Sequence, residues 1–201
     1  FTTTERKMGF INSVQNKILL GFVLSIILFF SFNGNIAEAQ NLSHYGMTVW
    51  LHVFAGIIWI GLLYYFNFVQ VPGMGQALAD TDGPGPAAIG KYIAPRALLW
   101  FRMAAATTLI LGLVLLGVKG AIANAYMLAP GFQVIGLGAW MGTIMAFNVW
   151  FIIWPNQQKI LGMKTASAEQ IATAKKNAAL ASSINVILSI PMLLTMIAWH
   201  A

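Results

Sequence analysis

In 201 residues the chain holds 59% apolar and only 8% charged side chains, too few polar groups to coat a water-soluble globule of this size. Its net charge of +6 falls in short basic tracts beside apolar runs, which points to membrane topology and anionic lipid and away from nucleic acid. The absence of cysteine excludes disulfides, thiolate metal sites, iron–sulfur clusters and covalent c-type haem on this chain, leaving His, Met or oxygen ligands for any redox centre.

Several apolar runs reach about 20 residues, enough to cross roughly 30 Å of hydrocarbon as helix, and no alternating strand pattern suggests a barrel. The expected fold is therefore all-α. It is an integral membrane helical bundle with four core transmembrane helices and an N-terminal signal-like or anchor helix. Residues 1–39 combine Lys17, an apolar core from Ile18 to Phe32 and the pattern Ala37-Glu38-Ala39, as in a signal peptide or a signal-anchor helix. Residues 40–201 form the four-helix membrane domain.

Its first helix is expected over about 46–71, ended by Pro72, which lacks the N–H needed to continue it. Residues 73–94, rich in Gly, Pro and Asp, read as a loop. Pro95 suits the first turn of the next helix, which ends near Gly117 to Gly120. A small-residue turn at Ala121 to Asn124 leads to a helix from about Pro130 to Trp154, stopped by Pro155. A polar, basic loop follows, and Ser167 with Glu169 and Gln170 marks a helix start. The last helix runs from about Ala168 to Trp199, with a bend expected at Pro191.

Arg6, Lys7 and Lys17 precede the first apolar run, Lys91 and Arg96 lie in the second connection, and Lys159, Lys164, Lys175 and Lys176 in the fourth. The positive-inside rule then makes those connections cytoplasmic. The chain is expected in a bacterial inner membrane with a periplasmic C-terminus. Trp50, Trp100, Trp150, Trp154 and Trp199 fall near helix ends, as interfacial aromatics do.

This topology gathers the three histidines on the outer side. His44 lies at a helix end, His52 about 12 Å further in at 1.5 Å per residue, and His200 at the outer end of the last helix. His52 and His200, on different helices in one leaflet, make a candidate bis-imidazole site for haem b, with iron as the metal. Gly56 and Trp59 share the His52 face at i+4 and i+7. The glycine would leave room for a flat macrocycle and the indole would pack on its edge. Met47 and Met192 lie within reach of the same side. The plainer reading of His52 is an interhelical hydrogen bond or a cavity-lining residue.

A second constellation lies toward the inner side: Asn67 and Gln70, Arg102, Asn148, then Ser182, Ser183 and Asn185. Arg102 inside hydrocarbon should face the bundle and be hydrogen-bonded by these amides or by an anionic ligand. The layer is either a polar clasp that fixes helix packing or a pocket for a quinone head group, a haem propionate or an anionic substrate. No nucleophile–base pair, phosphate loop, HExxH or membrane carboxylate pair occurs, so hydrolytic and phosphoryl-transfer chemistry has no residues to carry it, and no catalytic residue is assigned.

Four stretches in order, HVFAGIIWIGLLYYFNFVQVP, PRALLWFRMAA, NVWFIIWPNQQKILG and ASSINVILSIPMLLTM, resemble the N-terminal membrane domain of the membrane-bound urate oxidase (urate hydroxylase) family. In that family the membrane domain is followed by a cytochrome c domain, which implies electron passage to a c-type haem. These 201 residues contain no CxxCH, so the resemblance implies a separate c-type cytochrome or a membrane complex as partner. Three functions are consistent with these residues. One is a haem b electron-transfer subunit serving a periplasmic c-type cytochrome or a larger redox complex. Another is a membrane oxidase of urate or a similar small heterocycle, and the third a cofactor-free accessory subunit of a membrane complex.

Overall fold

The computed structural model describes residues 14–33 and 44–198, and these form helices and connecting turns with no strand. The chain divides into two compact units, Phe1–Met47 and Thr48–Ala201. In the first, α1 (Val14–Asn33) is a 20-residue apolar helix. Its Leu19, Leu20, Val23, Leu24, Ile26 and Ile27 are exposed, and Ser25 Oγ donates back to the Gly21 carbonyl at 2.9 Å.

Four further helices are each long and apolar enough to cross a membrane: α2 (His44–Ala79), α3 (Ile89–Val118), α5 (Gln133–Ile160) and α6 (Ala168–Ala198). A short α4 (Ile122–Tyr126) links the second and third of them. Side chains such as Ile57, Phe68, Ile110, Phe151, Leu180 and Ile187 are more than half exposed, an apolar girdle that suits lipid and that a soluble monomer rarely shows.

Prolines do not end these helices, contrary to the sequence expectation at Pro72 and Pro155. Each of three spans instead carries one wide turn just ahead of its proline: Phe66–Gln70 before Pro72, Ile89–Ile93 before Pro95, Asn148–Ile153 before Pro155. At each, the residue preceding proline bonds five residues back: Val71 to Phe66, Ala94 to Ile89 and Trp154 to Val149. A proline in a regular helix clashes with the carbonyl four residues back. Widening the turn moves that carbonyl away and lets a fresh helical segment start with proline in its first turn. The expected loop over 73–94 accordingly shrinks, because α2 runs on to Ala79 and α3 begins at Ile89. The helix predicted over about 130–154 likewise continues past Pro155 to Ile160.

At the last helix the sequence reading holds. Gln170 N–H donates to Ser167 Oγ at 3.2 Å while Ser167 N–H donates to Gln170 Oε1 at 2.9 Å, a reciprocal cap of α6. That helix stays α-helical through Pro191.

Cross-helix contacts give the topology. Along α2, His52 meets Thr108 on α3 and Phe66 meets Phe101, while Tyr64 meets Ser189 on α6 and Asn67 meets Ser182. Sequence numbers rise on one helix as they fall on the other, so α2 runs antiparallel to α3 and α6. Trp59, Leu63, Phe66, Leu98, Phe101, Ala105, Met145, Val149 and Met192 form the shared core. Both α5 and α6 bury small residues, among them Gly142, Ala146, Ala178 and Ala181, which let backbones approach closely. Gly138 shows how close, for a Cβ there would stand 2.7 Å from Thr195 Oγ1.

Candidate functional sites

The first site lies between α2 and α3. His52 Nδ1 is 2.8 Å from the Thr108 carbonyl. A carbonyl only accepts, so Nδ1 carries the proton and donates it. Thr108 is itself buried, its hydroxyl turned back onto the Ala104 carbonyl at 2.7 Å. The imidazole rests on Gly112, where a Cβ would come within 3.0 Å of Cε1. Sequence reading missed Gly112; its only signal is one glycine in the otherwise bulky LILGLVLL.

At Gly56 the Thr108 methyl stands 3.8 Å from where a Cβ would be, an ordinary van der Waals distance between α2 and α3. Trp59 is 2% exposed within the core, and its Nε1 has no hydrogen-bond partner. Met192 is buried in the same core cluster. His44 is exposed on the first turn of α2. His200 and Trp199 lie outside the described residues. Among the described residues no group of three or more His, Cys, Asp or Glu could hold a metal ion.

The second site is the polar layer, and the structure divides it into two kinds of residue. Asn67 Nδ2 donates to the Leu63 carbonyl at 2.7 Å and to Ser182 Oγ at 2.8 Å. Asn148 Nδ2 donates to Asn185 Oδ1 at 2.9 Å, and Asn185 Nδ2 donates to the Met145 carbonyl at 3.0 Å. Tyr64 and Ser189 join through their hydroxyls at 2.9 Å, a contact sequence reading did not anticipate because both residues look unremarkable within apolar helices. Ser183 is exposed and bonds only back to the Ala179 carbonyl at 2.9 Å. These groups clasp α2 and α5 to α6.

Arg102 is not held by these amides. Helical side chains lean toward the N-terminus of their helix, and Arg102 leans along α3 until its Cζ lies 3.6 Å from the centroid of the Trp154 ring. Trp150 Nε1 donates to the Arg102 carbonyl at 3.0 Å. The two tryptophans, one turn apart on α5, thus face the arginine. Arg102 Nη1 is buried without a hydrogen-bond partner, as is Oε1 of Gln70, a residue only 8% exposed. An unsatisfied buried donor and an unsatisfied buried acceptor are what the clasp leaves over.

No curated protein and no solved structure matches the chain. One family model does, over a stretch that takes in α4, α5 and α6 and contains both NVWFIIWPNQQKILG and ASSINVILSIPMLLTM. On those elements, which supply Asn148, Trp150, Trp154 and Asn185, the resemblance stands: residues 121–201 match the family described as Urate oxidase N-terminal.

Proposed function

We propose that the chain is a membrane redox subunit in which His52 holds the iron of a b-type haem through Nε2. The observation that carries this reading is the 2.8 Å bond from His52 Nδ1 to the Thr108 carbonyl. A histidine that ligates a metal characteristically donates its other ring N–H to a carbonyl or carboxylate, which fixes tautomer and ring orientation and raises ligand basicity. Gly112 supplies the bare surface on which the ring is seated. Trp59 Nε1, buried without a partner two turns along the same helix, supplies a donor for a carboxylate of the bound group. His200 is the proposed second ligand. When bound, haem supplies one-electron transfer, and the chain's own part is to ligate, orient and exclude water. The electrons would pass to or from a periplasmic c-type cytochrome, or within a larger complex in a bacterial inner membrane. The family match at residues 121–201 favours a second reading, in which the same redox unit serves oxidation of urate or a similar small heterocycle.

Protein expressed with sufficient haem and purified in detergent should show a Soret band and a reduced-minus-oxidised alpha band. His52→Ala should abolish or shift both, and Trp59→Phe should keep the bands while moving the midpoint potential. A colourless wild-type protein, or His52→Ala with an unchanged spectrum, overturns the haem reading and leaves His52 as an interhelical hydrogen bond. Reduction of the bound haem on adding urate would select the oxidase reading over electron relay.

A further inference from the structure

We infer that Gln70 and Arg102 are the two polar ends of a binding site for a small planar ring that carries an oxygen acceptor together with an N–H or O–H donor. The site goes beyond the proposed role of His52 and does not rest on it. Three observations converge. Gln70 is buried with Oε1 unpartnered, and Arg102 Nη1 is buried and unpartnered. A buried polar atom left without a partner is costly. The two atoms are complementary to one ligand: a donor fork wanting an oxygen, preferably anionic, and an amide oxygen wanting a proton.

Placement brings them to one level. Phe66 and Phe101 pack edge to face at 5.5 Å. Gln70 lies one turn from Phe66 on α2, and Arg102 follows Phe101 on α3. The Arg102 head then extends from that contact in the same direction as Gln70, because α3 is antiparallel to α2 and the guanidinium lies on Trp154.

The backbone adds the third observation. Gln70 is the last residue of one wide turn, and Trp150 lies within another, which Trp154 directly follows. Such turns re-aim side chains by adding a residue to the helical count, and they concentrate at functional sites. Here they aim the amide of Gln70 and the two indoles that seat Arg102. The amides that could have quenched these atoms, Asn67, Asn148 and Asn185, are committed to Ser182, to each other and to backbone carbonyls.

A heterocyclic lactam and a quinol both carry this chemistry, and binding separates them. Urate and ubiquinol-1 are titrated into purified full-length protein in nanodiscs by calorimetry. At least one should bind saturably. Arg102→Lys, which keeps the charge but not the fork, should weaken it about tenfold or more, and Gln70→Leu about three- to tenfold. Gln70→Glu should reject the urate anion while sparing the neutral quinol. Size-exclusion and circular dichroism of each variant confirm the fold. If neither probe binds the wild type at millimolar concentration, or Arg102→Lys and Gln70→Leu both bind as the wild type does, the inference is overturned and the two atoms are satisfied by water. A missing Soret band alone leaves it standing, since no arm of the titration passes through His52.

Discussion

Placing a methyl group at Gly112 tests the seat of His52 directly. The new Cβ of Gly112→Ala would stand 3.0 Å from His52 Cε1 and 3.4 Å from Nδ1. Carbon atoms settle at about 3.5–4.0 Å, so the ring must retreat by roughly half an ångström. It is held by a 2.8 Å bond to the Thr108 carbonyl, and that retreat takes the bond to the edge of good N–H···O geometry, near 3.2 Å. Overpacking of this kind costs about 1–3 kcal/mol. Replacing glycine by alanine within a helix gains up to about 1 kcal/mol, so the net effect should be a loss of about 0–2 kcal/mol. Gly61→Ala is the matched control, because nothing lies within 4 Å of its would-be Cβ; it should be neutral or stabilising. Unfolding in mixed detergent micelles, followed by circular dichroism, should therefore separate the two alanine variants by about 1–3 kcal/mol. In a His52→Ala background the penalty at Gly112 should vanish, giving a coupling of roughly 1–3 kcal/mol. Equal shifts at Gly61 and Gly112, or no coupling to His52, would refute the placement of the ring on that glycine.

Asn185→Leu should destabilise the protein by about 1–3 kcal/mol, since it strands Asn148 Nδ2 in the core and removes the side-chain donor to the Met145 carbonyl. Adding Asn148→Leu should cost less than the sum of the single changes, which the same unfolding assay reads. Gly138→Ala should cost about 1–3 kcal/mol, because its Cβ would stand 2.7 Å from Thr195 Oγ1 and 3.2 Å from Met196 Cε; a stabilised variant would mean α5 and α6 are not in close contact there. Trp154→Leu should lose about 0.5–2 kcal/mol from the cation–π contact with the partly buried Arg102, while Arg102→Lys, which keeps a cation over the indole, should lose less in the same measurement.

Apolar run length and the polar cap at Ser167 were legible in the sequence, because both are local. Four spans and the start of α6 at Ala168 follow from residues close in the chain. The proline boundaries were not legible, because a proline read alone is a helix breaker. Whether it breaks or is absorbed depends on packing that holds the preceding turn open. Leu63 and Phe66 on one side of Pro72, and Val149 and Ile153 ahead of Pro155, are buried in the shared core, and a helix anchored there widens its turn where an isolated one would end. Asn67, Asn148 and Asn185 could be assigned to one depth by counting residues, yet counting could not say which amide takes which partner. Asn148 and Asn185 chose each other, and Arg102 was left to Trp154. Gly112 was invisible for the same reason: its meaning lies in the ring that α2 sets against it.

The two candidate sites stand on different ground. His52, Thr108 and Gly112 all lie on α2 and α3, outside the stretch that matches the urate oxidase N-terminal model, residues 121–201. The Arg102 site is shared, with Gln70 and Arg102 from α2 and α3 and its aromatic seat, Trp150 and Trp154, from the matched α5. What the family match contributes therefore bears on the aromatic seat and on the Asn148–Asn185 clasp, and it reaches His52 only through the helix packing that holds α2 in place. A haem spectrum and a ring-binding isotherm are for that reason independent measurements. Gln70→Leu should lower ring affinity and leave the spectrum alone, because Gln70 and His52 are separated by five turns of α2, about 27 Å at 1.5 Å per residue. Spectral change in that variant would mean that the wide turn at Phe66–Gln70 controls how the rest of α2 packs, and the two sites would then be one coupled device.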